Sequence, residues 1–231
     1  MTKTIEFSLL ETYSGIENTP MPAKKAMPAW LKNLPNEILG VPTLKKCPPF
    51  LDTFGMGYVV PTWQEFELIP KDNIYHFKSG ITHLLSPYEQ PRNVCSYQFP
   101  EQYKNTPLEE YQIIKLQSPW VIKLPKDYSL MVLPLLNTDS GLPFEVIPAI
   151  IDSDSYHVNF GFTCKIKFNP DKKHNIQPGI PFAQIIPIKR ENWKMQLTET
   201  SLLTHSKVIN KLRLYIMSGY RKLFWHKKDY D

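Results

Sequence analysis

Apolar and polar positions alternate in short bursts along residues 48–190, the pattern of half-buried strands rather than helices. Bursts over residues 57–61, 65–69 and 73–77 predict a first group of strands, and Glu65-Phe66-Glu67-Leu68-Ile69 alternates most cleanly. A second series runs through residues 113–116, 120–125, 128–136, 144–151, 158–168 and 180–188. Turn-forming clusters, Asn137-Thr138-Asp139-Ser140-Gly141 and Asn169-Pro170-Asp171, separate its members. Many short strands at this spacing predict an all-β sandwich or barrel. Upstream, residues 4–10 predict one more strand. Residues 28–34 predict a short helix with Pro28 in its first turn and Trp30, Leu31 and Leu34 on one face. That helix either caps the core or belongs to a partner-binding arm. Residues 86–107, with Pro87, Pro91, Pro100 and Pro107 among Tyr88, Tyr97 and Tyr103, predict a long ordered loop or an insertion.

Near the C-terminal end the period lengthens to that of a helix. Leu202, Val208, Ile209, Leu212, Ile216, Tyr220, Leu223 and Phe224 recur at three- and four-residue steps over residues 199–224. Thr200 or Ser201 is placed to cap this helix, and Gly219 to kink or end it. The expected organisation is an N-terminal arm over residues 1–47, a strand-rich body over 48–195 and a basic helical tail over 196–231. No internal repeat or low-complexity tract is present.

Composition sharpens this picture. The 231 residues are 42% apolar and 21% charged, a globular balance. There are 22 prolines against 9 glycines, which argues against glycine-rich phosphate loops and long helical bundles. Cys47, Cys95 and Cys164 are far apart, so zinc-ribbon and thioredoxin-type sites lack support and a reducing, cytoplasmic setting is expected. The first residues carry no signal-like apolar run, and no stretch nears the roughly 18 apolar residues of a membrane span. Net charge is +5, yet residues 201–231 hold seven basic side chains against two acidic ones, so the remainder is neutral. Attraction for an anionic partner is expected from this tail.

Candidate chemistry gathers near residue 152. Asp152 and Asp154, two apart in a strand or hairpin, share a side. They could supply a general base, hold a divalent metal, or simply bond the turn backbone. Tyr156, His157 and Asn159 follow, suited to stacking on and bonding a base or sugar, or to solvation at a hairpin tip. His76, His83, His174, His205 and His226 are scattered and complete no metal set. No serine sits in a nucleophile elbow and no cysteine has an evident partner. Lys189-Arg190 ends the last strand, where it could meet an anion or stay solvated. The tail from Tyr220 to Lys228 mixes cations with aromatics, which suits nucleic acid, a protein partner, or packing on the body.

Three segments, in order, resemble strands of the deoxyuridine triphosphatase (dUTPase) family and the related dCTP deaminases. They are Trp120-Val121-Ile122-Lys123-Leu124-Pro125-Lys126-Asp127-Tyr128, Ala149-Ile150-Ile151-Asp152-Ser153-Asp154-Ser155-Tyr156, and Ile176-Gln177-Pro178-Gly179-Ile180-Pro181-Phe182-Ala183-Gln184-Ile185-Ile186. The second resembles a G-x-I-D-x-x-Y motif and the third an I-x-x-G-x-x-x-A-Q strand. The resemblance covers about residues 118–190. It implies a β-clip fold, often a homotrimer, with Asp152 as the water-activating base and Tyr156 against a deoxyribose. Four departures stand beside it. Leu133-Pro134-Leu135-Leu136-Asn137 occupies the place of the phosphate-contacting Arg-Ser segment. Val59 follows Gly57-Tyr58 where the family has an aspartate. Asp152 and Tyr156 are one residue further apart than in the motif, and the glycine-rich C-terminal arm is replaced by the helical tail. A triphosphate needs fixed cations or a metal to offset its desolvation.

The whole chain is also similar to a poorly characterised family of single-domain bacteriophage and bacterial proteins. Lys46-Cys47-Pro48-Pro49-Phe50-Leu51-Asp52, Ser118-Pro119-Trp120, Pro187-Ile188-Lys189-Arg190-Glu191-Asn192-Trp193 and Tyr220-Arg221-Lys222-Leu223-Phe224-Trp225 carry that similarity. It implies no activity. The resulting expectation is a phage-encoded, non-enzymatic binding protein on a degenerate dUTPase-like scaffold. It would hold a small, nucleotide-like ligand or a protein through Asp152, Asp154, Tyr156, Asn159, Gln184 and Lys189, with no cofactor. The alternatives are a Mg²⁺-dependent nucleotide hydrolase with Asp152 as base, and a virion or assembly component.

Overall fold

The structure, a computed structural model, describes residues 2–13, 15–79, 94–215 and 218–231. Residues 80–93, which include the first part of the 86–107 segment read as a long loop or insertion, lie outside the described residues, as do Ile216 and Met217 of the predicted helix. The chain forms two compact units. Met1–Met21 and Gly57–Arg190 make the first, and Pro22–Met56 and Glu191–Asp231 make the second. These boundaries differ from those drawn on composition, because early and late segments of the chain are interleaved.

The first unit is built almost wholly of strands: β1 (Glu6–Leu9), β2 (Tyr58–Pro61), β3 (Phe66–Lys71), β4 (Ile74–Ser79), β5 (Cys95–Tyr97), β6 (Gln112–Gln117) and β7 (Trp120–Lys123). Then follow β8 (Tyr128–Pro134), β9 (Phe144–Val146), β10 (Ala149–Ile151), β11 (Gly161–Ile166), β12 (His174–Ile176) and β13 (Pro181–Lys189). One sheet has the order β10-β8-β13-β2, a second β9-β11-β6-β5 and a third β12-β3-β4, while β1 pairs with β7. The pairings are antiparallel. Alternation fixes which side of each strand is inside. In β11, Phe162, Cys164 and Ile166 are buried while Gly161, Thr163 and Lys165 are half-exposed. Val60, Leu68, Ile114, Leu130 and Ile185 complete the centre of one continuous apolar core. Phe182 joins the sheets there, its ring edge-on to Phe144 at 6.0 Å and to Phe162 at 5.1 Å.

Chain entry into β2 requires Gly57. Its φ is +68°, and a Cβ there would strike the Ile185 carbonyl oxygen of β13 and lie 3.0 Å from both Ile185 C and Ile186 Cγ1.

The mainly β architecture read from the sequence is the one observed, with three differences of detail. The strand predicted over residues 144–151 is two strands, β9 and β10. Pro148 has no N–H to donate, and Ile147 N turns to the Thr163 carbonyl at 2.8 Å. Residues placed at the start of the strand-rich body form a helix in the second unit, Pro48–Gly55, because prolines in a first helical turn cost no hydrogen bond. The helix predicted over 199–224 is two shorter helices.

The second unit contains α1 (Ala29–Asn33), α2 (Pro48–Gly55), α3 (Leu202–Arg213) and α4 (Gly219–Leu223). Trp30 of α1 stands 6.4 Å from Phe50 and 6.0 Å from Phe54 of α2. Its two chain segments are tied by charge. Asp52 accepts from Trp225 Nε1 at 3.0 Å and from Lys228 Nζ at 2.6 Å, and Lys24 pairs with Asp229 at 3.2 Å. Ser201 caps α3 by accepting from Thr204 N. No helix among the described residues is long and apolar enough to cross a membrane.

Candidate functional site

The antiparallel pairing of β8 with β10 sets Leu130 opposite Ile151, which brings Ser129 beside Asp152. The chain then turns sharply: Ser155 N and Tyr156 N both donate to the Asp152 carbonyl, at 3.1 and 2.9 Å. This turn, which lies past the end of β10, brings both Asp152 and Asp154 to one guanidinium. Arg190, just past β13, is anchored by its own N–H donating to the Asp127 carbonyl at 2.9 Å.

The guanidinium makes a charged knot. Arg190 Nη1 donates to Asp154 Oδ1 at 2.9 Å, and Nη2 donates to Asp154 Oδ2. Nη1 also reaches Ser129 Oγ at 3.1 Å, the Tyr128 carbonyl at 3.1 Å and Asp152 Oδ1 at 3.3 Å. Ser129 Oγ donates to Asp152 Oδ1 at 2.6 Å, and Asp127 N donates to Asp154 Oδ2 at 2.9 Å. Such bidentate, charge-assisted pairing is the strongest hydrogen bonding available to a carboxylate. The two acids are not equivalent: the Asp154 side chain is 7% exposed and that of Asp152 is 63% exposed. Arg190's hydrogen bond, aided by the Asp127 N–H and opposed by desolvation, holds the Asp154 carboxyl down at about 2. Asp154 in turn raises Arg190. Ser153 Oγ, between the two acids in sequence, is buried and has no hydrogen-bond partner among the described residues.

The other residues named from the sequence are distributed unevenly. Tyr156 is exposed beside the turn, and His157 Nε2 donates to the Asp154 carbonyl at 2.9 Å. Asn159 faces the chain instead, donating through Nδ2 to the Ser118 carbonyl at 2.9 Å. Gln184 is buried, and its Oε1 accepts from Leu136 N at 3.3 Å. Lys189 lies in the ladder opposite Tyr128, and the knot's cation is its neighbour Arg190. Sequence reasoning named the Lys189-Arg190 pair and put Lys189 among the binding residues, whereas the fold brings Arg190 to the two acids; Ser129 was missed. Only the register of β13 against β8 distinguishes them.

A cleft of about 420 Å³ opens at the other end of β8, lined by Tyr111, Leu135, Asp139, Phe144, Lys165 and Phe182, among others. Ser129 and Pro134 are five residues apart on one strand, so the cleft lies roughly 16 Å from the knot. At its edge Lys165 pairs with Glu145 at 3.1 Å and sits over the Tyr111 ring, 5.4 Å from its centre. Thr138, Asp139 and Ser140, from a cluster read in the sequence only as a strand separator, line the cleft.

Among solved structures, the chain is similar to dUTPases of staphylococcal phages. It is 12% identical to a mutant dUTPase of Staphylococcus bacteriophage 80alpha, covering 87% of this chain and 99% of that one, with a TM-score of 0.41. For a second 80alpha mutant the values are 14%, 87%, 99% and 0.40, and for the dUTPase of S. aureus phage phi11 they are 12%, 86%, 98% and 0.40. No protein-family model matches the chain. No curated protein matches it by sequence.

Proposed function

We propose that this protein is a non-catalytic binding protein that holds a small ring-bearing ligand in the cleft at the end of β8. The observation that carries this reading is the commitment of Arg190 to Asp152 and Asp154. A guanidinium spent on two carboxylates is not available to a polyphosphate. Asp154, held at about 2, is too weak a base to draw a proton from water at neutral pH. Both Asp154 oxygens already accept from N–H donors, which leaves the pair poorly suited to Mg²⁺.

The cleft offers different chemistry. Its volume suits a small molecule, the Tyr111 ring is partly accessible, and the buried rings of Phe144 and Phe182 line it. Its charged lining is Asp139, Glu145 and Lys165, and that lysine is paired with Glu145. A neutral or cationic ring is favoured there over a phosphate. A thermal-shift panel of deoxynucleosides, aromatic amines and deoxynucleoside triphosphates tests this. Ring compounds without phosphate are expected to raise the melting point, by about 2.7 kcal/mol of stabilisation at a hundredfold excess over Kd, and triphosphates are not. Tyr111→Ala should abolish the shift. Stabilisation by triphosphates alone would overturn the reading.

A second reading rests on the exposure of Asp152, the acid of the knot that is open to solvent. In it, Asp152 acts as the base of a Mg²⁺-dependent nucleotide hydrolase. Turnover of any deoxynucleoside triphosphate by the wild type, lost in Asp152→Asn, would establish it.

A further inference from the structure

The two units divide the charge very unequally. Residues 22–56 and 191–231 hold thirteen basic and six acidic side chains, a net +7, which leaves −2 on the first unit. The tail alone accounts for only part of this. Folding adds Lys24, Lys25, Lys32, Lys45 and Lys46 from far upstream to the same unit. Internal pairing consumes little of it: Lys24, Lys227 and Lys228 have carboxylate partners in the unit, and the other ten cations have none among the described residues. Lys207, Lys211 and Arg213 of α3 and Lys222 of α4 are exposed. Concentrated, unpaired positive charge of this kind is the footprint of a phosphate-bearing polymer.

The same unit exposes aromatic rings. Trp193 is 87% exposed, and Tyr220 and Phe224 are also open to solvent. Cations already lie over neighbouring rings, Lys222 over Tyr215 at 5.0 Å and Arg221 over Trp225 at 5.9 Å. Rings interleaved with cations match a strand whose phosphates and base faces are both accessible. A duplex stacks its base faces away inside. An anionic bilayer would require a free apolar helix face. On α3 the apolar residues are only partly free: Leu202, Leu203 and Val208 are exposed, whereas Ile209 and Leu212 are half-buried, and the Leu212 carbonyl is so close to Gly219 of α4 that a Cβ there would lie 2.8 Å from it.

We propose that the second unit is a binding surface for single-stranded nucleic acid, with Lys207, Lys211, Arg213 and Lys222 meeting phosphates and Trp193 and Tyr220 stacking on bases. No residue named for this surface lines the cleft, so either proposal can fail without the other.

Fluorescence anisotropy of a labelled oligothymidylate, titrated with the full chain across a salt series, tests the proposal. Affinity should fall steeply with salt, and Lys207→Glu with Lys211→Glu should flatten the logarithmic slope by roughly 1.4, about 0.7 for each phosphate left without its lysine. Trp193→Ala should weaken binding about tenfold and leave the slope unchanged, as removal of a stacking ring does. All three positions are exposed, so the melting points should match wild type. Absence of binding at low salt would overturn the proposal. So would equal affinity for a duplex with no effect of Trp193→Ala, or preference for phosphatidylserine vesicles over the oligonucleotide.

Discussion

Replacing Gly57 by alanine should be among the most damaging single-methyl additions in the first unit. Two costs add. A side chain at φ +68° pays roughly 1–2 kcal/mol for the left-handed conformation. The new methyl also collides with the Ile185 carbonyl oxygen, and that oxygen belongs to backbone paired with Tyr58. Relief requires β2 and β13 to part locally. Losing one or two ladder hydrogen bonds there costs about 0.5–1.5 kcal/mol each. The total is about 1.5–5 kcal/mol, or a melting point lower by roughly 3–20 °C for a chain of this size. Gly141 provides the control. Its φ is +71° but nothing lies within 4 Å of its would-be Cβ, so Gly141→Ala incurs the conformational cost alone. Urea denaturation followed by Trp63 and Trp120, both buried in the first unit, measures the difference. If the two alanine variants lose the same stability, the close approach of Gly57 to β13 is not what the residue is for.

Two further outcomes follow from the knot. Asp154 titrates at about 2 when folded and near 3.8 otherwise, so its stabilisation is complete above about pH 4 and disappears as the pH falls toward 2. The melting-point gap between wild type and Asp154→Asn should therefore be constant from neutral pH down to about pH 5 and close below pH 4. Scanning fluorimetry across that range reads it, and a gap that widens in acid would contradict the pairing. Ser153→Ala should be neutral or raise stability by up to about 1 kcal/mol, because it removes a buried hydroxyl with no partner among the described residues. A clear loss in chemical denaturation would show that this hydroxyl is bonded.

Much of the fold was legible in the chain. The alternation in residues 161–166 and 66–69 names the buried side of β11 and β3, because a half-buried strand has no other way to place its apolar residues. Prolines obscured the rest. Pro48-Pro49 looks like a break but begins α2, and Pro148 divides what periodicity joins. At the site, the sequence singled out Asp152 and Asp154, though a turn and not strand alternation brings them together. Arg190 and Ser129 were not legible, since their approach depends on pairing with distant strands. Asn159 and Gln184 show the converse: each is polar in a suggestive place, yet each bonds backbone of another strand or loop, at Ser118 and Leu136. The cleft left no sequence signal, because its walls come from a turn and from strands of two sheets.

The second unit joins residues 22–56 to residues 191–231. During synthesis at about 5–20 residues per second, the early segment waits roughly 7–27 s for its counterpart to be made. Throughout that interval Asp52 has neither Trp225 nor Lys228, and the early lysines have no finished surface to sit on. Whatever this unit recognises, it can recognise only once residues 191–231 have been made, so a shorter nascent chain is blind to that partner while its strand framework is already assembling.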